Sequence, residues 1–271
     1  MQANEARRPI TVPMVRERKG SGPPLVMVTA YDTPSAALVD LAGVDVILVG
    51  DSVATAVLGH NDTLAIGMSE MEHHTSAVGR ARPAALVVSD MPWLACDLGA
   101  KAAVSNAARL IRAGASGVKI EGDHPEIIRR LVGAGIPVMG HLGLLPQSVH
   151  AMGGYRVQGR DEVAAAGLRA AAKRVEDAGC FALVLEAVPS SLAAEVTASV
   201  GIPVIGIGAG PSCDGQVLVL HDLVGFSPPG THQARFVRRY GEVGSVITQA
   251  VEAFAQDVRE GRFPAPAEAY S

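Results

Sequence analysis

Four acids and one lysine stand at or beside the ends of short apolar runs in this 271-residue chain. They are Asp51 in VGDS, Asp90 in VSDMP, Lys119 and Glu121 in VKIEG, and Glu186 in VLEAVP. One such acid could simply cap the helix or loop that follows it. Four of them, on four separate runs, point instead to a metal or acid–base site. Carboxylates withdrawn from water persist only when they are paired or bound to a cation.

The VKIEG run sharpens this reading. Strand side chains alternate between faces, so Val118 and Ile120 share one face and Lys119 and Glu121 the other. If the apolar pair meets covering helices, Lys119 and Glu121 point inward, where an unpaired charge costs on the order of several kcal/mol. Lys119 therefore needs anionic company: Glu121, another acid or a substrate carboxylate. A purely structural Lys–Glu pair is the alternative. On FALVLE, Glu186 shares a face with Val184, opposite Leu183 and Leu185, which aims its carboxylate at the same mouth. Carboxylates without clustered cysteines or an HExxH helix favour a hard, oxygen-ligated ion such as Mg²⁺ over zinc. A 2-oxo acid can chelate such an ion through its carboxylate and keto oxygens.

The elements that must position these residues repeat as strand then helix. Strand-like runs fall at 25–30, 45–50, 84–90, 117–122, 137–142, 181–187, 203–209 and 217–222, with alanine-rich helical stretches at 34–42, 101–113, 161–178 and 190–199 between them. Ala-Gly pairs precede the runs AGVDVILV, AGASGVKI, AGIPVMG and AGCFALVL, as at the end of a helix that turns into a strand. Eight such runs predict an α/β fold with a parallel sheet, and their number favours a closed (β/α)8 TIM barrel in a single domain. Functional residues in that fold gather where strands end and βα loops begin.

The expected organisation is an N-terminal arm at 1–24 with one short helix, capped by Thr11 and stopped at Gly20, the barrel at 25–240, and a C-terminal helix and tail at 241–271. In the last segment Val246, Ile247, Ala250, Val251, Phe254 and Val258 follow helical spacing. They suit a helix that covers the barrel or reaches another subunit.

Composition excludes several classes. Hydrophobic residues make up 48% of the chain and mean hydropathy is +0.26, yet no apolar run approaches the roughly 18 residues of a membrane span. The N-terminus MQANEARRPI has no apolar h-region, which predicts a cytoplasmic protein. A net charge of −4 and 4% aromatic residues argue against a nucleic-acid partner. Cys96, Cys180 and Cys213 show no metal spacing and read as buried, inert thiols in a reducing compartment.

Other signals are weaker. His141, in GHLGLLP, is placed to reach a ligand. His73 and His74 sit in a helix-like segment and read as structural or exposed, while His60, His221 and His232 have no assigned role. GIGAG at 206–210 could cradle a phosphate or form a tight turn. GGYRVQGR at 153–160 mixes hinge glycines with two arginines, which suits a mobile lid over an anion or an ordinary surface loop.

Together these residues resemble the ketopantoate hydroxymethyltransferase family from about Thr11 to Pro264. The strings TAYD, LVGDS, HNDTL, VKIEG, GHLGLLPQS, GGYRVQGR, VLEAVP and IPVIGIGAGP occur in the family's order. Each string alone is weak, and the ordered series is specific. The resemblance implies transfer of a hydroxymethyl (one-carbon) group from 5,10-methylenetetrahydrofolate to 2-oxoisovalerate, giving 2-dehydropantoate for pantothenate and coenzyme A synthesis. It assigns Asp51, Asp90 and Glu121 to one Mg²⁺ per subunit, Glu121 directly or through water. It places Asp51, Ser52, Asp90 and Lys119 around the 2-oxo acid, and Glu186 as the proton acceptor that forms a Mg²⁺-stabilised enolate. It also implies a homo-oligomer, commonly a decamer. Trp93 stands where relatives usually carry Phe, Asn61 and Ala65 stand where Asp and Pro are common, and Cys96 lies in a variable stretch. None of these departures removes a candidate ligand. A folate-independent 2-oxo-acid aldolase or lyase would use the same enolate chemistry, and a non-catalytic barrel would need neither the acids nor Lys119.

Overall fold

The computed structural model describes residues 7–270 except 229 and 232, so His232 lies outside the described residues. The chain forms two compact units, Met1–Val219 and Leu220–Ser271. The first contains eight strands: β1 (Leu25–Thr29), β2 (Val46–Val49), β3 (Leu86–Asp90), β4 (Gly117–Glu121), β5 (Val138–Gly143), β6 (Ala182–Glu186), β7 (Val204–Ile207) and β8 (Gly215–Leu218). They close in sequence order into one barrel. Every neighbouring pair is parallel, including β1 with β8 through Leu25↔Gly215 and Met27↔Val217. This is the expected (β/α)8 barrel.

Its helices are α1 (Val12–Arg16), α2 (Thr33–Leu41), α3 (Val53–Ala56), α4 (Met68–Arg80), α5 (Ala100–Arg112), α6 (Pro125–Gly133), α7 (Glu162–Asp177) and α8 (Ser190–Ser199). The alanine-rich stretches became α2, α5, α7 and α8. The segment with His73 and His74 became α4, where His74 Nδ1 lies 2.8 Å from the Tyr31 carbonyl. Two local signals place α2: the Asp32 side chain accepts from the Ser35 N–H, and Ser35 answers with its hydroxyl, a reciprocal cap. Thr11 stands at the cap position of α1 but makes no capping hydrogen bond with its side chain.

One strand differs from expectation. The run at 217–222 is strand only at its start, because β8 begins at Gly215 and ends at Leu218. Leu220–Leu223 is a short helix, α9. Gly215 and Gln216 offer no apolar signal, yet they pair with Ile205 and Gly206 of β7. Gly215 is required there because a Cβ would stand 2.6 Å from the Leu25 carbonyl oxygen. The GIGAG loop is a tight turn, with Gly208 and Gly210 both at positive φ.

The barrel interior is apolar in its lower part. Leu25, Met27, Val46, Leu86, Val88, Met139, Ala182, Ile205 and Val217 form one buried cluster with Val15 of α1, and Ile10 and Val12 pack against it. The N-terminal arm thus stoppers the barrel where its strands begin. Ile10 also donates its N–H to the Ala84 carbonyl, and Lys19 pairs with Asp214 at 2.8 Å.

The second unit contains α9 and α10 (Val243–Arg259). Hydrogen bonds from Tyr240 to Leu223, Val243 to Val224 and Gly244 to Gly225 tie its parts together. No helix among the described residues is long and apolar enough to cross a membrane.

Val15 is fully buried and far from the strand tips. Val15→Ala is expected to cost about 2 kcal/mol of stability through a cavity in the stopper, read by chemical denaturation, with turnover nearly unchanged. A loss of activity as large as that of a pocket variant would show that α1 also shapes the mouth.

Candidate active site

The side chains that alternation turns inward change from apolar to charged along the strands, and the change falls on one side of the barrel. Asp90 pairs in register with Lys119, Glu121 with His141, and Gly143 with Glu186, so β3, β4, β5 and β6 present their charges in sequence around the mouth. Asp51 follows β2 by two residues and donates its backbone N–H to Asp90 Oδ2 at 3.0 Å. The facing side carries Thr29, Ile207, Val217 and Val219. With Leu48 and Val184, these residues complete a cavity of about 110 Å³ that all five sequence-derived charged residues line, along with Ser52 and His141.

Lys119 is the hub. Its Nζ stands 3.1 Å from Asp90 Oδ1, 3.7 Å from Glu121 Oε1 and 3.0 Å from His141 Nδ1, all within the buried interior. Burial opposes its charge, but Asp90, Glu121 and Asp51 together hold its pKa above the ordinary lysine value. The anionic company expected of Lys119 is therefore present. It is not a simple pair, since several carboxylates share one ammonium.

That imbalance sets the state of the acids. Burial, then Glu121 and Asp90, push the Asp51 carboxyl well above the usual range against the pull of Lys119 and Gln147. Asp90 is raised by burial despite Lys119. Glu121 meets the same burial penalty, yet His141, Lys119 and the Gln147 N–H draw it below its ordinary value. Asp90 Oδ1 and Glu121 Oε1 are buried without a hydrogen bond of good geometry. The Lys119 ammonium, 3.1 Å from the first and 3.7 Å from the second, attracts both.

His141 is the residue whose role the sequence left open, and it belongs to the cluster. Nε2 lies 3.2 Å from Glu186 Oε2 and Nδ1 lies 3.4 Å from Glu121 Oε1. Two arrangements use these atoms. A neutral ring would accept from Lys119 through Nδ1 and face Glu186 with its Nε2–H. An imidazolium would direct protons at both glutamates. Burial and Lys119 disfavour the second, Glu121 and Glu186 favour it, and the balance lifts the His141 pKa to about 9. A cation that neutralised the carboxylates would reverse that balance.

Two residues escaped the sequence reading. Gln147 lies in the quoted string GHLGLLPQS but carries no charge and no periodic signal. A 3₁₀ turn at Pro146–Ser148 brings its backbone N–H to Glu121 Oε2 at 3.0 Å, and its side-chain amide to Asp51 Oδ2 and the Met91 carbonyl at 2.8 and 2.9 Å. It clasps three strand ends. Tyr31 is buried, its hydroxyl 2.9 Å from Ser52 Oγ, which holds Ser52 at the cavity wall. Its place in the quoted string TAYD was the only clue. The three cysteines are buried and unpaired, and burial pushes the Cys96 and Cys180 thiols up to about 12.

A buried cluster of acids, one lysine and one histidine, at the C-terminal mouth of a parallel eight-stranded barrel, is the site of a TIM-barrel enzyme. The ketopantoate hydroxymethyltransferase family model matches residues 9–266. Curated relatives carry the name 3-methyl-2-oxobutanoate hydroxymethyltransferase. One from Methylobacterium sp. (strain 4-46) is 51% identical over 96% of this chain and 91% of its own length. One from Pyrobaculum islandicum is 53% identical over 91% of this chain and 94% of its own length. The chain belongs to the ketopantoate hydroxymethyltransferase family. Solved structures of the same fold include a phosphonopyruvate hydrolase in complex with oxalate and Mg²⁺, at TM-score 0.61, 15% identity and 96% and 93% coverage of this chain and that one. A 2,3-dimethylmalate lyase matches at TM-score 0.58, 17% identity and 96% and 91% coverage.

Because Gln147 fixes two carboxylates, its loss should disturb the site without unfolding the barrel. Gln147→Leu is expected to lower kcat/KM roughly ten-fold or more, the usual effect of removing a partner of a functional carboxylate, with an unchanged circular dichroism spectrum. Wild-type kinetics would reduce Gln147 to a loop residue.

Proposed function

We propose that this pocket transfers a hydroxymethyl group from 5,10-methylenetetrahydrofolate to 2-oxoisovalerate, giving 2-dehydropantoate for pantothenate synthesis, with one Mg²⁺ per subunit. The observation that carries the reading is the excess of buried carboxylates beside one ammonium, facing an apolar wall. The donor set suits a hard cation: every acidic donor is an oxygen, and two buried carboxylate oxygens, on Asp90 and Glu121, lack a hydrogen bond. Among the described residues no three His, Cys, Asp or Glu side chains converge into a complete cage. Magnesium needs none, since it keeps waters and accepts one or two carboxylates plus substrate oxygens. Asp51 and Asp90 would hold it, with Glu121 direct or through water. When bound, the ion supplies Lewis-acid polarisation of the keto group.

The protein's own groups do the rest. Lys119 faces the substrate carboxylate and balances charge, and the Ser52 hydroxyl, oriented by Tyr31, supplies a hydrogen bond at the wall. Leu48, Val184, Ile207 and Val217 form the apolar surface that a branched alkyl group requires. Glu186 accepts the C3 proton of the oxo acid, and His141 at 3.2 Å holds that carboxylate in place. One water is consumed: its oxygen adds to the methylene carbon of the donor as both C–N bonds break, and its two protons go to the folate nitrogens, so that tetrahydrofolate leaves. The enolate carbon attacks the freed one-carbon unit, and the proton taken up by Glu186 ends on the new hydroxyl. Product formed without folate would place the pocket with the folate-independent aldolases or lyases instead. A reducing, cytoplasmic setting suits the three unpaired cysteines.

The first half of this chemistry can be watched alone. Wild-type protein with Mg²⁺ should exchange the C3 proton of 2-oxoisovalerate with deuterium, read by NMR in D₂O. A chelator should stop the exchange, and Asp51→Asn or Asp90→Asn should slow it strongly. Glu186→Gln should slow it by about 10²-fold or more, the scale of general-base catalysis, while still binding the oxo acid. Undiminished exchange in Glu186→Gln would move the base role elsewhere.

The same proposal includes a homo-oligomer, a decamer by resemblance. Helix α10 carries no buried residue and exposes Val246, Ile247, Val251, Phe254 and Val258, a face that a partner subunit would cover. Light scattering should return a mass several times 27.9 kDa, and Phe254→Asp should reduce it. A monomer in solution would remove this part of the reading.

A further inference from the structure

The cavity of about 110 Å³ lies well below the roughly 300–1,000 Å³ of pockets that enclose ligands of drug size. A five-carbon acid suits it; a folate, several times larger, would extend past it to the mouth. The ring system of the donor must therefore rest on the rim, with only its one-carbon unit reaching inward. The rim is made by the βα loops, and the loop after β5 is fastened to the site at two points. Gln147 anchors one end through Glu121 and Asp51. The Gln158 N–H anchors the other by donating to the carbonyl of Ala187, the residue after Glu186, at 2.9 Å.

Between these anchors stands Tyr155, preceded by Gly153 and Gly154 in left-handed conformations at φ +69° and +111°. It is 57% exposed, in a chain with only four tyrosines and one tryptophan. It stands three positions before Gln158, whose hydrogen bond to Ala187 holds this part of the loop beside the Glu186 strand end. Partial burial, then the fields of Asp62, Asp51, Glu186 and Glu121, raise its phenol pKa above the ordinary value. Three of those four carboxylates line the cavity itself. An aromatic ring left open to water, beside the mouth and on a loop held at both ends, has the form of a stacking surface: large apolar area with few rotamers to immobilise.

We propose that Tyr155 is the platform on which the planar ring of the one-carbon donor stacks, outside the cavity that holds the oxo acid. The proposal rests on the folate reading above. It makes Tyr155 a binding residue for one substrate and not for the other. A phenyl ring should serve nearly as well as the phenol, because the contact is made by the face of the ring.

Steady-state kinetics of Tyr155→Ala and Tyr155→Phe, with each substrate varied in turn, test this. In Tyr155→Ala the KM for methylenetetrahydrofolate should rise about five- to ten-fold, the scale of one aromatic stacking contact. The KM for 2-oxoisovalerate and the folate-free exchange of its C3 proton should hold. Tyr155→Phe should restore the donor KM. An unchanged donor KM in Tyr155→Ala overturns the platform. So does a parallel loss of exchange, which would show that the residue merely supports the loop. A wild type that forms product without folate overturns the platform together with the folate reading, and that failure is visible before any variant is made.

Discussion

The structure depends on one electrostatic constraint: a single buried ammonium, Lys119, serves more carboxylates than it can neutralise. A lone Lys–Glu pair inside a barrel would be self-sufficient and chemically idle. Here Asp51 is driven toward its protonated form, His141 is driven toward its charged form, and two carboxylate oxygens stay without hydrogen bonds. The site thus holds more buried carboxylate than its own cations offset, and positive charge is favoured there. Each neighbour makes sense as a way to hold this arrangement together, from the Gln147 clasp to the backbone N–H of Asp51 on Asp90.

The fold makes the constraint affordable by separating it from stability. The lower barrel is filled with aliphatic side chains and sealed by α1, and the charged tier sits above it on β3 to β6. The barrel's opposite side keeps Thr29, Ile207 and Val217 at the same height. The cavity thus has a charged half and an apolar half, the polarity of a small branched acid. Gly143 permits this crowding: at φ +96° it ends β5 where a Cβ would overlap the Glu186 carbonyl oxygen, so β5 and β6 can bring His141 and Glu186 together.

Much of this was legible in the sequence, and the limits have physical causes. Period-two alternation in GVKIEG and FALVLE placed Lys119, Glu121 and Glu186 correctly, because a strand's facing is a local property. The β8 boundary was misjudged because Gly215 and Gln216 are held by pairing with β7 and not by their own hydrophobicity. His141 could be placed at a strand end, but its charge depends on glutamates from β4 and β6, which no local window contains. Gln147 was invisible because a neutral side chain acquires its role only when a 3₁₀ turn swings it across to Asp51 and Met91. The closing of the barrel base by α1 was equally hidden: five residues gave a helix, but not its place.

That closed base has a kinetic consequence. With Ile10, Val12 and Val15 packed against the lower interior, the cavity is closed toward the base of the barrel and opens at its mouth. Any second reactant that settles over the entrance traps whatever lies beneath it. For the two-substrate reaction proposed above, such a vessel would impose a fixed order: the small acid in first, the larger partner second, and the spent partner out before the product. Competition studies would then see the larger partner's analogues bind well only once the acid is in place.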